Sequence, residues 1–153
     1  MRLAELTAPE LIFPDISGAD SDGVLREFSQ RLGALGRVRK PELLFERLRE
    51  REGLGSTALG HGVAVPHCRL QGLSKVLLAV GLSSEGVDFS SEDGEPVHAF
   101  FVVVSPASAA VEHLHCLSAI SKWVKNGLLE KMKGLSEPEE IYRLIDDPAN
   151  GDG

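Results

Sequence analysis

The chain has 153 residues, with 16 Lys and Arg against 23 Asp and Glu, a net charge of −7, and 42% hydrophobic and 25% charged residues. That is globular composition, and its acidic balance argues against nucleic acid or anionic lipid as a partner. No apolar run approaches the ~20 residues that span a bilayer, the N-terminal segment lacks the layout of a secretory signal, and Cys68 and Cys116 make no disulfide framework; a cytoplasmic chain of one domain, with no insertion into membrane, is the expectation.

The first residues carry Pro9 and Pro14 and little periodicity, with Leu11-Ile12-Phe13 as a short edge strand. Ser21-Asp22 reads as an N-cap, after which Val24, Leu25, Phe28, Leu32 and Leu35 recur at helical spacing up to Gly36. Pro41 opens a second helix, with Leu44, Phe45 and Leu48 on its apolar side and its end near Gly53 and Gly55. Gly60-His61-Gly62-Val63-Ala64-Val65-Pro66-His67 reads as a short strand stopped by proline. Val76 to Leu82 and Val97 to Val104 are near-continuous apolar runs, the signature of strands buried on both faces. Gly86, Asp93-Gly94 and Pro96 mark turns between them. A long helix follows Pro106, over about 110–126, and a last one covers about 137–145. Helices before and after a buried sheet predict an α/β fold: a mixed β-sheet sandwiched between helices.

Of the five histidines, His61, His67, His98, His113 and His115, two stand in unusual settings. His67 follows a proline at the end of an apolar strand, which presents it at a sheet end; a partly exposed turn histidine is the plainer alternative. On the long helix, at about 100° per residue, His113 shares a face with Leu117, Ile120 and Val124, whereas His115 falls on the opposite side. His113 therefore faces either a site or simply the core. Arg51 extends the Leu44–Leu48 stripe of the second helix, either to meet an anion or to snorkel into water. Nucleophilic histidine, supporting histidine and arginine together suit phosphoryl transfer through phosphohistidine. No Walker-type or kinase glycine-rich loop supplies a nucleotide donor, so a phosphorylated protein partner is expected instead.

The segment from Arg51-Glu52-Gly53-Leu54-Gly55-Ser56-Thr57 through Gly60-His61-Gly62-Val63-Ala64-Val65-Pro66-His67-Cys68 resembles the active-site motif of enzyme IIA components of the bacterial phosphoenolpyruvate phosphotransferase system, fructose–mannitol class. The likeness is greatest to its nitrogen-regulatory branch. His113-Leu114-His115-Cys116-Leu117-Ser118 is similar to the family's second conserved element. The resemblance runs from about residue 20 to about 147 of one 1–153 domain. It implies that His67 is transiently phosphorylated by an HPr-type phosphocarrier, that His113 supports the phosphoryl group, and that Arg51 lies close to it. Ser56 and Thr57 would form the polar turn beside the site, bordered by His61. His61 and Cys68 depart from the residues frequent at their positions. The resemblance implies no metal and no organic cofactor. Downstream it implies either a regulated kinase or transporter, in a regulatory role, or a separate IIB that carries the phosphate on to sugar uptake. A metal site built from His61, His67, His113, His115, Cys68 and Cys116 is the minor alternative, because their spacing lacks paired CxxC or HxxxH form.

Overall fold

The computed structural model describes residues 2–147. Six strands form one sheet: β1 (Ile12–Phe13), β2 (Ala58–Gly60), β3 (Val63–Ala64), β4 (His67–Arg69), β5 (Leu77–Val87) and β6 (Val97–Ser105). Their order is β1-β5-β6-β3-β2, with β4 also on β6. The β5–β6 pair is antiparallel, whereas β1 on β5 and both β3 and β4 on β6 are parallel. The mixed sheet expected from the apolar runs is therefore present.

Alternation along β6 divides the core in two. Phe100, Val102 and Val104 turn to one face and pack with Val24, Leu25, Phe28 and Leu32 of α1 (Ser21–Ala34) and with Leu44 and Leu48 of α2 (Pro41–Gly53). Ala99, Phe101 and Val103 turn to the other, against Cys116, Ile120 and Trp123 of α3 (Ala110–Lys125), Leu129 of α4 (Leu128–Met132) and Ile141 of α5 (Pro138–Asp146). Every apolar side chain of β6 thus finds a helix, which is why the run needs no polar alternation. Burying one such Phe or Leu contributes about 1.5–3 kcal/mol. Close packing leaves Gly81 no room for a side chain: a Cβ there would sit 2.5 Å from Phe28 and 2.6 Å from Ile16.

Several boundaries differ from the sequence reading. The N-cap of α1 is Asp20, not Ser21-Asp22; its carboxylate accepts from the Gly23 amide at 2.7 Å. Leu35, which continued the helical stripe on paper, lies past the helix and is 44% exposed. Packing also begins upstream of residue 20, where Leu3, Ala4, Leu11 and Ile12 are buried and the Tyr142 hydroxyl of α5 donates to the Ala4 carbonyl at 3.1 Å. The short helix α4 was not anticipated; one turn is too brief for a periodic signal.

The largest correction concerns residues 58–69. Pro66 does not end a strand; it interrupts one. β2 and β3 form a tight antiparallel hairpin across His61-Gly62, both at positive φ (56° and 76°). After Val65-Pro66 the chain rejoins β6 as β4, with His67 opposite Val103. Proline brings no N–H to the ladder, but its carbonyl still accepts from Val103 N at 3.0 Å, so the strand edge continues through the break.

Candidate active site

Strand alternation at β4 sends Cys68 into the α1–α2 core and leaves His67 and Arg69 on the α3 side. The α3 helix brings His113 to the same place: it is 6% exposed, and the two imidazole centroids lie 5.4 Å apart at 60°. His115 is exposed, as the helical wheel requires.

The rings are held from behind. His67 Nδ1 lies 2.8 Å from the Val65 carbonyl. A carbonyl only accepts, so Nδ1 carries the proton and Nε2 keeps its lone pair. His113 Nδ1 lies 2.6 Å from the hydroxyl of Ser105, the last residue of β6. In both rings the surroundings favour the neutral form. Burial lowers the His67 pKa, aided by the Arg51 charge and opposed by the Val65 hydrogen bond and Glu52. His113 is pushed down to about 4, by burial first and then by His67 and Arg69.

The last turn of α2 and the loop beyond it form the other wall. Arg51 Nη1 donates to the Gly55 carbonyl at 2.9 Å, and its charge reaches His67. Glu52 accepts from the Thr57 amide and the Thr57 hydroxyl, both at 2.7 Å. Thr57 in turn accepts from Val65 N at 3.0 Å, next to the carbonyl that holds His67. The Arg-Glu pair therefore fastens the loop to the segment that leads into His67. The Ser56 hydroxyl donates to the Phe89 carbonyl, beyond β5, and accepts from the Ala58 amide, so the hydroxyls of Ser56 and Thr57 are both engaged within the protein.

His61 is placed apart from this group. Its amide donates to Asp93 at 3.0 Å, and the hairpin it caps meets β6 at Ala99, against Val103 for His67. At about 3.3 Å per residue, that register difference sets Val63, where the hairpin meets β6, roughly 13 Å along the strand from His67, and His61 lies beyond it in the turn. Cys68 and Cys116 lie in opposite halves of the core, with thiols pushed up to about 12 by burial. Among the described residues no three His, Cys, Asp or Glu side chains converge as a metal ion would need.

Four participants carried no role in the sequence reading: Glu52, Arg69, Ser105 and the Val65 carbonyl. Glu52 left a signal, since a carboxylate in the last turn of a helix opposes the macrodipole unless something else satisfies it. Ser105 left one too, as the single hydroxyl closing an apolar run. The Val65 carbonyl left none, because every residue carries one.

Comparison with known proteins bears on the family and the fold. The family profile described as phosphoenolpyruvate-dependent sugar phosphotransferase system, EIIA 2, matches residues 5–147. A nitrogen regulatory protein of Pseudomonas aeruginosa is 31% identical over 152 residues, covering 99% of both chains. The crystal structure of nitrogen regulatory protein IIA-Ntr from Neisseria meningitidis superposes with a TM-score of 0.85 at 30% identity, covering 94% of this chain and 98% of that one. Enzyme IIA Mtl of Escherichia coli, solved in complex with phosphorylated enzyme IIB Mtl, shares the fold at a TM-score of 0.75 and 21% identity, over 91% and 96% of the two chains. With a profile match across nearly its whole length, the chain belongs to the EIIA 2 family of the phosphoenolpyruvate-dependent sugar phosphotransferase system.

Proposed function

We propose that this phosphoryl carrier accepts its phosphoryl group on His67 Nε2 from an HPr-type phosphocarrier, and that it works in a regulatory, nitrogen-type branch. The observation that carries the reading is the 2.8 Å contact of His67 Nδ1 with the Val65 carbonyl. It fixes the tautomer, leaves Nε2 as the nucleophile, and stabilises the positive charge the ring gains on phosphorylation. In the transfer, the P–N bond to the donor imidazole breaks as the P–Nε2 bond forms, and the departing imidazole keeps the electron pair. The phosphoryl oxygens then lie among His113, Arg51 and Arg69, whose donors offset their charge without a metal.

A protein donor fits the rim of this site. Leu54, three residues beyond Arg51, and Leu114, next to His113 on α3, are 86% and 66% exposed. Large apolar side chains left in water around a reactive group mark a surface that a macromolecule covers. The regulatory branch is supported by the nitrogen regulatory proteins among the relatives. An enzyme IIB is the acceptor class suggested by the complex of a relative of the same fold.

The test is incubation with phosphoenolpyruvate, enzyme I and an HPr-type carrier, followed by intact-mass measurement. One acid-labile, base-stable phosphate is expected on the unsubstituted protein and none on His67→Ala. Full phosphorylation of His67→Ala would refute the assignment.

A further inference from the structure

Ser105 is buried completely, and its position is set twice over. It pairs with Arg69 across β4–β6, and its carbonyl accepts from Leu70 N at 2.9 Å. Its hydroxyl has one hydrogen-bond partner among the described residues, His113 Nδ1 at 2.6 Å. That bond can run in either direction, and the two directions differ in what they leave behind. If Nδ1–H donated to the hydroxyl oxygen, the serine O–H would be a sealed donor with no acceptor, and His113 Nε2 would present a lone pair to the site. If the serine O–H donates to Nδ1, no buried donor is left unmet, and Nε2 must hold the proton of the neutral ring. Among the described residues His113 Nε2 has no hydrogen-bond partner, and it is not enclosed, so that proton is offered to whatever occupies the site.

We propose that Ser105 is a positioning residue for phosphoryl transfer: its hydroxyl donates to His113 Nδ1 and so keeps an Nε2–H donor aimed at the phosphoryl group carried by His67. The inference rests on His67 as the phosphoryl acceptor and adds to it the origin of the supporting histidine's polarity. A lone pair at the same place would repel the phosphoryl oxygens, whereas a fixed N–H meets them without reorganisation. The two histidines then use one device in opposite senses. A carbonyl behind His67 forces its proton to Nδ1 and frees Nε2 to attack; a hydroxyl behind His113 forces its proton to Nε2 and makes it a donor.

The tautomer is read directly by long-range proton–nitrogen correlation on the uniformly 15N-labelled, unphosphorylated protein. His113 should show a protonated Nε2 and a hydrogen-bonded, unprotonated Nδ1; a protonated Nδ1 in the unsubstituted protein would overturn the proposal. In the phosphotransfer mixture, Ser105→Ala should still accept one phosphate on His67 but about tenfold more slowly, the scale on which groups that orient an imidazole from behind act. Ser105→Thr, which keeps the hydroxyl, should restore the rate. Wild-type kinetics in Ser105→Ala would also overturn it. Should the unsubstituted protein take no phosphate at all, the His67 reading fails, and the tautomer measurement still decides the Ser105 bond.

Discussion

Acidification should destabilise this fold through His113 before the carboxylates dominate. The unfolded chain binds a proton at an ordinary value of 6.5, while the folded ring holds off protonation until about 4. Between those values the unfolded state carries more protons, so stability falls as pH is lowered and is fully present above about pH 7. At pH 5 about 97% of unfolded chains but only about 10% of folded ones carry the charge, which costs about 2 kcal/mol relative to pH 7. The ring is 6% exposed, so solvent screens little of this. The assay is urea unfolding at both pH values for the unsubstituted protein and His113→Gln, which cannot titrate. The difference between their two pH dependences isolates the His113 contribution, since His67, whose shift has the same sign, is common to both. Equal losses in the two proteins would refute the reasoning. Phosphorylation of His67 places negative charge beside the ring and should shrink the loss.

Arg51→Lys keeps the charge but loses the planar fork and the geometry of its bond to Gly55, so transfer into His67 should slow by at least about tenfold in quench-flow, with thermal stability unchanged. Glu52→Ala removes two bonds to buried Thr57 and should cost about 2 kcal/mol in urea unfolding, with slower transfer as the loop behind Val65 loosens. Gly81→Ala drives a methyl into Phe28 and Ile16 and should cost about 1–3 kcal/mol while leaving the phosphorylation site intact, a pairing that calorimetry and intact mass can check together.

By itself the amino-acid sequence determined the helices α1, α2, α3 and α5 and their inward faces. Phe28, Leu44 and Leu48 are buried where their spacing places them, and His113 turns in while His115 turns out, because a 3.6-residue period is a local property of the chain. The apolar runs also announced β5 and β6, since only strands covered on both faces tolerate such composition. What the faces meet is a different kind of fact. The break at Pro66 looked like an end because local chemistry says proline cannot donate; only the partner strand, receiving the Pro66 carbonyl, carries the chain on into β4. His61 stood in the same short motif as His67, and the register on β6 put the two at different ends of it. The resemblance made Ser56 and Thr57 the polar turn beside the site, and only the fold shows that their hydroxyls bond the Phe89 carbonyl and Glu52. Periodicity reports which side of an element is buried but not which group a side chain bonds: the partner of the His67 ring lies two residues back and that of His113 eight, and only the folded path of the chain brings each pair together.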